Sequence, residues 1–277
     1  MTTIMRSWRP TSAPTRGILL LAVLGLASCT RRPVDAERAD VAFSAASVAS
    51  APVIAMQPDL NGVWNRYPPY PDTFSPEPWP GELQVLTPPL KEPYLTKWKK
   101  IQKRREDADK AHRPLATPSA RCIPEGMPAI MGAHYAMEFL QTPGQFTVIA
   151  EFLSQVRRIY LDGPIPKPEE VEPSFNGHSV GRWVGSALEV VTYGVKPDVQ
   201  YEDIPHSARM KISERIYMVG EILHDDFVIE DPEYLSAPYK FTFKYKKEKP
   251  EYRIGDYFCE NDKHVIDKNG TIRLQAK

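Results

Sequence analysis

Short segments with a two-residue period in hydrophobicity constrain the fold of this chain more than any other feature. In the clearest of them, the aromatic residues between Tyr239 and Tyr245 alternate with lysines and a threonine. Such alternation predicts a β-strand with one buried face, because successive strand side chains point to opposite faces. Similar segments recur over residues 134–262, and short turn signals such as Gly185-Ser186 separate most of them. We therefore expect about eight to ten strands.

The connections between these segments indicate how the strands pair. Hairpin-sized connections favour antiparallel pairing, because parallel neighbours need a long crossover. A meander of this size hides its edges best by closing on itself. The predicted fold class is mainly β: an antiparallel meander that closes into a barrel over residues 134–262. A β-sandwich is the alternative.

A different pattern precedes the barrel, in residues 58–133. Nine prolines lie between Arg66 and Pro93, a density that excludes a regular helix or a central strand. From Pro93 to Lys110, apolar residues recur at spacings of three and four, which predicts a helix. We expect an extended proline-rich segment and one N-terminal helix, both packed on the barrel, and a C-terminal tail over residues 263–277.

The N-terminus has the composition of an export signal. Residues 1–28 contain three arginines, no acid and an apolar run over residues 18–26, which is typical of a secretory signal peptide and too short to span a bilayer. Leu26-Ala27-Ser28-Cys29 resembles the lipobox of bacterial lipoproteins. The resemblance implies cleavage before Cys29, lipidation of Cys29 and, with Thr30 next, anchoring in the outer membrane, facing the periplasm or the cell surface. An ordinary signal peptide is the alternative.

Splitting the chain at residue 28 changes its charge and its cysteine content. The whole chain has 35 basic and 35 acidic residues; without the signal peptide, 32 basic residues face 35 acidic ones. A slightly acidic protein is not expected to bind nucleic acid. We expect residues 29–57 to form a flexible tether. The remaining pair, Cys122 and Cys259, predicts a disulfide in an oxidising compartment, with two buried thiols as the alternative.

No motif for a cofactor or a metal is present. The chain has no phosphate-binding loop, dinucleotide fingerprint, nucleophile elbow or paired-histidine zinc helix. Its six histidines are scattered, and none lies four residues from another. We predict neither a cofactor nor a metal site.

Charged residues that share the apolar face of a strand suggest where a ligand would bind. Glu214 alternates with isoleucines, Arg158 lies between Val156 and Tyr160, and Arg182 follows His178 at the same parity. A buried charge must be paired or must contact a polar ligand. The predicted ligand-binding residues are Arg158, Tyr160, His178, Arg182, Trp183 and Glu214. An Arg–Glu pair that plugs the barrel is the alternative, and a slip of one residue would turn these side chains outward.

A weaker hypothesis assigns catalysis to three of the polar residues. His178 follows Asn176-Gly177, and His206 lies in a loop just before the Glu214 strand. An imidazole beside a carboxylate can carry out acid–base chemistry. The candidates for such an enzyme are His178, His206 and Glu214, although both histidine segments are also typical of ordinary turns.

Several motifs in fixed order resemble those of a family of secreted bacterial proteins. They are Arg121-Cys122-Ile123-Pro124-Glu125-Gly126-Met127-Pro128, Leu140-Gln141-Thr142-Pro143-Gly144-Gln145, Arg157-Arg158-Ile159-Tyr160-Leu161-Asp162-Gly163 and Gly177-His178-Ser179. The resemblance covers residues 58–260 and implies export and a common barrel-like domain, but no activity. Gly62-Val63-Trp64 is also similar to the first strand of lipocalins, which implies a lipocalin-like barrel.

These observations lead to one functional hypothesis and two alternatives. The chain is expected to be a lipid-anchored extracytoplasmic protein that binds a small, largely apolar ligand in its barrel, with the membrane as a partner through the anchor. The alternatives are an enzyme (an isomerase, lyase or hydratase) on the same barrel, and an envelope scaffold protein without a ligand.

Overall fold

A computed structural model describes residues 57–69, 87–259 and 264–274. All of these belong to one compact unit, Pro52–Lys277. The predicted signal peptide, the lipobox with Cys29 and almost all of the predicted tether lie outside the described residues.

Nine strands form the main sheet, and all of them except β1 lie within residues 134–262. Their bounds are β1 Gly62–Arg66, β2 Met137–Thr142, β3 Gln145–Ala150, β4 Gln155–Tyr160, β5 His178–Val184, β6 Ala187–Tyr193, β7 Lys211–Val219, β8 Ile222–Glu230 and β9 Tyr239–Lys247.

The sheet closes because β1 pairs with strands at both ends of the meander. Trp64 lies opposite Met137 of β2 on one side and opposite Lys247 of β9 on the other, both in antiparallel pairs. The result is a closed nine-stranded barrel, which confirms the predicted fold class and rules out the sandwich. The closing strand comes from residues 58–133, which the sequence assigned to the extended segment and helix, so the barrel begins earlier than predicted.

One pair of strands departs from the predicted antiparallel meander. Ile159 and Tyr160 of β4 pair in parallel with Ser179 and Val180 of β5, and residues 161–177 supply the long connection that such a pair needs. In a closed barrel the number of antiparallel pairs must be even. Each antiparallel pair reverses the strand direction, and the direction must be restored after one full turn around the barrel. Nine strands make nine neighbouring pairs, so at least one pair must be parallel.

In the described residues, two α-helices and a small C-terminal hairpin accompany the barrel. The predicted helix is present as α1, Tyr94–Lys110, and a short α2 spans Ala129–Gly132. The indole Nε1 of Trp98 in α1 donates to the carbonyl oxygen of Glu202 at 2.9 Å, which joins the helix to the loop before β7. The predicted C-terminal tail contains a small hairpin of β10, His264–Ile266, and β11, Ile272–Leu274.

Large side chains fill the interior of the barrel. Trp64, Phe139, Phe146, Phe227 and Phe243 are at most 1% exposed. Phe227 stacks on Phe241 with ring centroids 4.9 Å apart, and Phe139 meets Phe146 edge to face at 5.4 Å. Small barrels are commonly filled in this way, and a ligand site is therefore better sought at the ends or on the outside.

The predicted disulfide is confirmed. Cys122 and Cys259 are bonded, with their Cα atoms 5.6 Å apart. The bond joins the segment after β9 to the segment before α2, so it attaches an irregular part of the chain to the barrel.

Candidate functional site

A buried ion pair lies inside the barrel between β4 and β7. Arg157 donates from Nη1 to Oε1 of Glu214 at 2.7 Å and from Nη2 to Oε2 at 2.5 Å. Both side chains are at most 1% exposed. Two parallel hydrogen bonds between a guanidinium and a carboxylate are the geometry that best offsets the cost of burying both charges. The inward orientation predicted for Glu214 is confirmed.

Two hydroxyl groups complete the surroundings of Arg157. Its Nη2 lies 3.2 Å from the hydroxyl oxygens of both Ser179 on β5 and Thr192 on β6. These hydroxyls also bond to each other at 2.8 Å. Side chains from three other strands, β5, β6 and β7, therefore satisfy the guanidinium from within the protein. A buried Arg–Glu pair was the alternative to a ligand site, but its arginine is Arg157, which was not among the predicted residues.

Asp225 on β8 is a second buried acid, and it differs from Glu214 in having no partner. It is fully buried, and neither carboxyl oxygen makes a hydrogen bond with any described residue. Burial, and then repulsion by Glu214, raises the pKa of Asp225 well above its usual range. Asp225 was not among the residues predicted from the sequence, although Leu223, Phe227 and Ile229 share its parity and could have indicated that it points inward.

Three of the predicted ligand-binding residues point out of the barrel. On β4 the buried positions are Gln155, Arg157 and Ile159, so Arg158 and Tyr160 lie on the outer face. Arg182 is also exposed, and it donates to Glu189 on that face at 3.4 Å. The inward orientation predicted for these three is wrong, because the parity of β4 and β5 is shifted by one residue.

The two remaining predicted residues of these strands lie apart from each other. His178 stacks on Tyr160 outside the barrel, with centroids 5.2 Å apart, and its predicted inward orientation is wrong too. Trp183 is partly buried and packs against the core. The six predicted ligand-binding residues do not form one cluster.

His206 is buried in the loop before β7, at one end of the barrel. Its Nε2 lies 2.7 Å from the carbonyl oxygen of Val199, and its Nδ1 lies 3.0 Å from that of Ser207. Carbonyl oxygens can only accept, and a neutral imidazole has one N–H group, so the neutral ring donates to one of these two carbonyls. Since Arg157 engages both carboxylate oxygens of Glu214, the structure does not bring His206 and Glu214 together as an acid–base pair.

A small apolar pocket adjoins His206. Its volume is about 20 Å³, which is room for about one water molecule. Burial and the nearby charge of Glu202 raise the pKa of Tyr239 to about 12, so its phenol is protonated at neutral pH. The lining includes Met127, Ile204, His206, Met210, Ile229, Asp231 and Tyr239.

A larger, open groove lies on the other side of the loop that follows β8. Its volume is about 490 Å³, and it shares Asp231 and Leu235 with the small pocket. We call it the end groove. Its lining is mostly apolar and includes two bases and two acids: Pro168, Tyr193, Arg209, Lys211, Glu230, Asp231, Pro232, Leu235, Ser236, Ala237 and Pro238.

Asp231 fixes the wall of the end groove. Its carboxylate accepts from the backbone N–H of Ser207 at 2.6 Å, of Glu233 at 2.8 Å and of Tyr234 at 3.1 Å. Leu235 pairs with Leu90, which ties the loop to the segment before α1. The groove is therefore formed by ordered backbone. Its residues were not among those predicted, because they meet only through the loops at the end of the barrel.

The described residues contain neither a metal-binding cluster nor a membrane-spanning helix. In that part of the chain, no group of three or more His, Cys, Asp or Glu side chains is placed to hold a metal ion. No helix there is long and apolar enough to cross a membrane.

Comparison of the chain with models of known protein families and with curated proteins finds no match.

Proposed function

We propose that the chain is an exported lipoprotein, held at the outer membrane through Cys29, whose barrel carries a binding site for a small, largely apolar ligand with an anionic group. The anchor rests on residues 1–28 and on the lipobox that ends at Cys29. The disulfide between Cys122 and Cys259 is compatible with an oxidising compartment outside the cytoplasm.

The end groove is the observation that carries the binding proposal. Its volume of about 490 Å³ lies within the range of about 300–1,000 Å³ that is typical of small-molecule sites. Leu235, Ala237 and the prolines of the lining suit an apolar body. Arg209 offers a guanidinium to a carboxylate or a similar anion, whereas Lys211 is paired with Glu230 at 2.9 Å.

The barrel interior supports this location because it is occupied by protein side chains. Phe139, Phe227 and Trp64 fill it. The charges of Arg157 and Glu214 neutralise each other in the ion pair. The interior therefore acts as a rigid scaffold. Binding is favoured over catalysis because His206 and Glu214 are each held by other protein groups.

Titration calorimetry with decanoate, an apolar chain with one carboxylate, tests this function. We expect the wild-type protein to bind decanoate and Arg209→Gln to bind it about tenfold more weakly, which is the usual worth of a hydrogen bond to a charged group. The matched control is Arg215→Gln. Arg215 is an exposed arginine of β7 that pairs with Glu189, does not line the groove and should leave the affinity unchanged. Equal affinities for wild type and Arg209→Gln, or no binding by the wild type, would contradict the proposal.

A further inference from the structure

A cluster of aromatic rings is held at the protein surface by the segment that follows β9. Tyr135, Phe152 and Tyr257 contact one another, with ring centroids 4.9–5.6 Å apart. Phe258 follows directly and is 78% exposed, and Tyr135 is 42% exposed. We call these four residues the aromatic patch. A phenylalanine with this exposure has no part in the core, and beside other partly exposed rings it forms the kind of apolar surface that marks an interaction site.

Several independent contacts fix the aromatic patch in place. The disulfide of Cys259 with Cys122 attaches the chain one residue after Phe258. Ser154 donates from Oγ to the carbonyl oxygen of Tyr257 at 3.3 Å, and the N–H of Gly255 donates to Glu151 at 3.1 Å. The segment has no regular secondary structure, and these bonds substitute for it. The aromatic rings are therefore displayed in a defined position.

The backbone beside the aromatic patch is strained. Leu153 and Ser154 have φ values of 56° and 48°, in the left-handed region that non-glycine residues rarely adopt. Two such residues in succession cost free energy that the surrounding structure must supply, and strain of this kind concentrates at functional sites. The two strained residues directly follow Phe152, whose ring contacts Tyr257.

The charges around the aromatic patch are mixed. Exposed Arg253 and exposed Asp256 lie on its segment, and Glu151 bonds to that segment. A partner that covers the patch is therefore selected by its apolar character rather than by a net charge. Tyrosine suits the boundary between lipid headgroups and acyl chains, because one end of its ring is apolar and the other is wet. Phenylalanine adds apolar surface for insertion at this boundary.

We propose that the aromatic patch inserts into the interfacial region of the lipid bilayer to which Cys29 attaches the chain. This inference rests on the anchor of the proposed function. Residues 29–57 can span at most about 100 Å when fully extended, so an anchored barrel stays close to the bilayer and weak contacts become effective. The patch thus gives the tethered barrel a second, apolar contact with the membrane.

The test uses the full lipidated protein in phosphatidylcholine vesicles whose acyl chains carry bromine, a short-range quencher of tryptophan emission. Phe258→Trp places a probe in the patch. The matched control is Val219→Trp, at the last residue of β7, which is 52% exposed. We expect both proteins to float with the vesicles, and the added emission of Trp at position 258 to fall about twofold, since interfacial groups lie about 5–10 Å into the headgroup–acyl boundary. The emission added at position 219 should stay constant, and raising the salt concentration should change neither result.

Two outcomes would overturn the inference, and they can be told apart. If the protein floats with the vesicles but the probe at position 258 is quenched no more than the one at position 219, the anchor stands and the patch does not enter the bilayer; a second copy of the chain covering the patch would give this result. If the wild-type protein does not float with the vesicles, the anchor fails and the inference fails with it.

Discussion

Glu214 and Arg157 are the residues whose removal should harm the barrel most, because each would leave the other as an uncompensated buried charge. We expect Glu214→Gln to lower the free energy of unfolding by about 3–5 kcal/mol. The double variant Arg157→Met with Glu214→Leu should recover most of that loss, since well-packed apolar residues often replace a buried pair without cost. Urea denaturation measures both.

An exposed glutamate provides the control for this prediction. Glu189 accepts from Arg182 at 3.4 Å and from Arg215 at 3.2 Å on the outer face. Because solvent screens such pairs, Glu189→Gln should cost less than about 1 kcal/mol. Similar losses for Glu189→Gln and Glu214→Gln would show that the buried pair has no special role.

Asp225 should make stability depend on pH. Its pKa is higher in the folded protein than in the unfolded chain, because burial and then Glu214 disfavour its ionisation. The stability linked to its bound proton is fully present below the unfolded pKa, near about 3.9, and is lost as the pH rises toward the folded pKa. Arg157 of β4, Tyr245 of β9 and neighbouring Asp226 also act on this carboxyl or its surroundings.

We therefore expect Asp225→Asn to be more stable than the wild type at pH 8, with an advantage that shrinks as the pH falls toward 4. The difference should change by up to about 1.4 kcal/mol per pH unit, the value for one proton. Thermal unfolding between pH 4 and pH 8 measures it. Asp198 is exposed, so the curve of stability against pH for Asp198→Asn should run parallel to that of the wild type. A parallel curve for Asp225→Asn would mean that Asp225 ionises normally.

For the strands, the sequence predicts where each one lies in the chain better than which of its two faces is buried. The alternation of β7 and β9 shows the buried side directly, because apolar residues occupy one parity: Ile212 and Ile216 in β7, Phe241 and Phe243 in β9. In β4 and β5 the parity of the apolar residues predicts the wrong buried face. Val156 and Tyr160 are apolar and yet outside, whereas charged Arg157 is inside because Glu214 of β7 meets it there. That partner lies 57 residues away, so no local pattern could reveal it.

Neither the parallel pairing of β4 with β5 nor the end groove could be predicted from the sequence, because both also depend on contacts between distant residues. The direction of β5 depends on the path of residues 161–177, and the groove depends on where the loops around Arg209 and Leu235 meet. Loops lack periodicity, so their contacts are set by tertiary structure. Closure by β1 was missed because its strand is short and precedes the proline-rich stretch.

Gly177 sets the start of β5 and thereby places Ser179 inside the barrel. Its φ is +63°, and an added Cβ would lie 2.4 Å from the carbonyl oxygen of Tyr193. Gly220 has a similar φ of +59° but open space around it. We expect Gly220→Ala to cost about 1–2 kcal/mol from the backbone alone and Gly177→Ala to cost about 1–3 kcal/mol more from the clash. Urea denaturation measures the stability lost in each variant. Equal losses would mean that the clash at Gly177 has no energetic cost.

For the whole molecule, the barrel wall and its filled interior provide rigidity, and the loops at its end form the candidate binding surface. The disulfide closes a stretch of 137 residues and fastens the segment that displays Tyr257 and Phe258. Binding in the end groove and membrane contact through the aromatic patch use separate sets of residues. Either can therefore be altered without changing the ion pair inside the barrel.

The most direct test of the central claim, a filled barrel with a ligand groove at its end, is a crystal structure of the protein soaked with decanoate. We predict electron density for the chain along Leu235 and Pro238, with the carboxylate beside Arg209. Density for decanoate inside the barrel among Phe139, Phe227 and Trp64, or an end groove that contains only solvent at saturating decanoate, would contradict it.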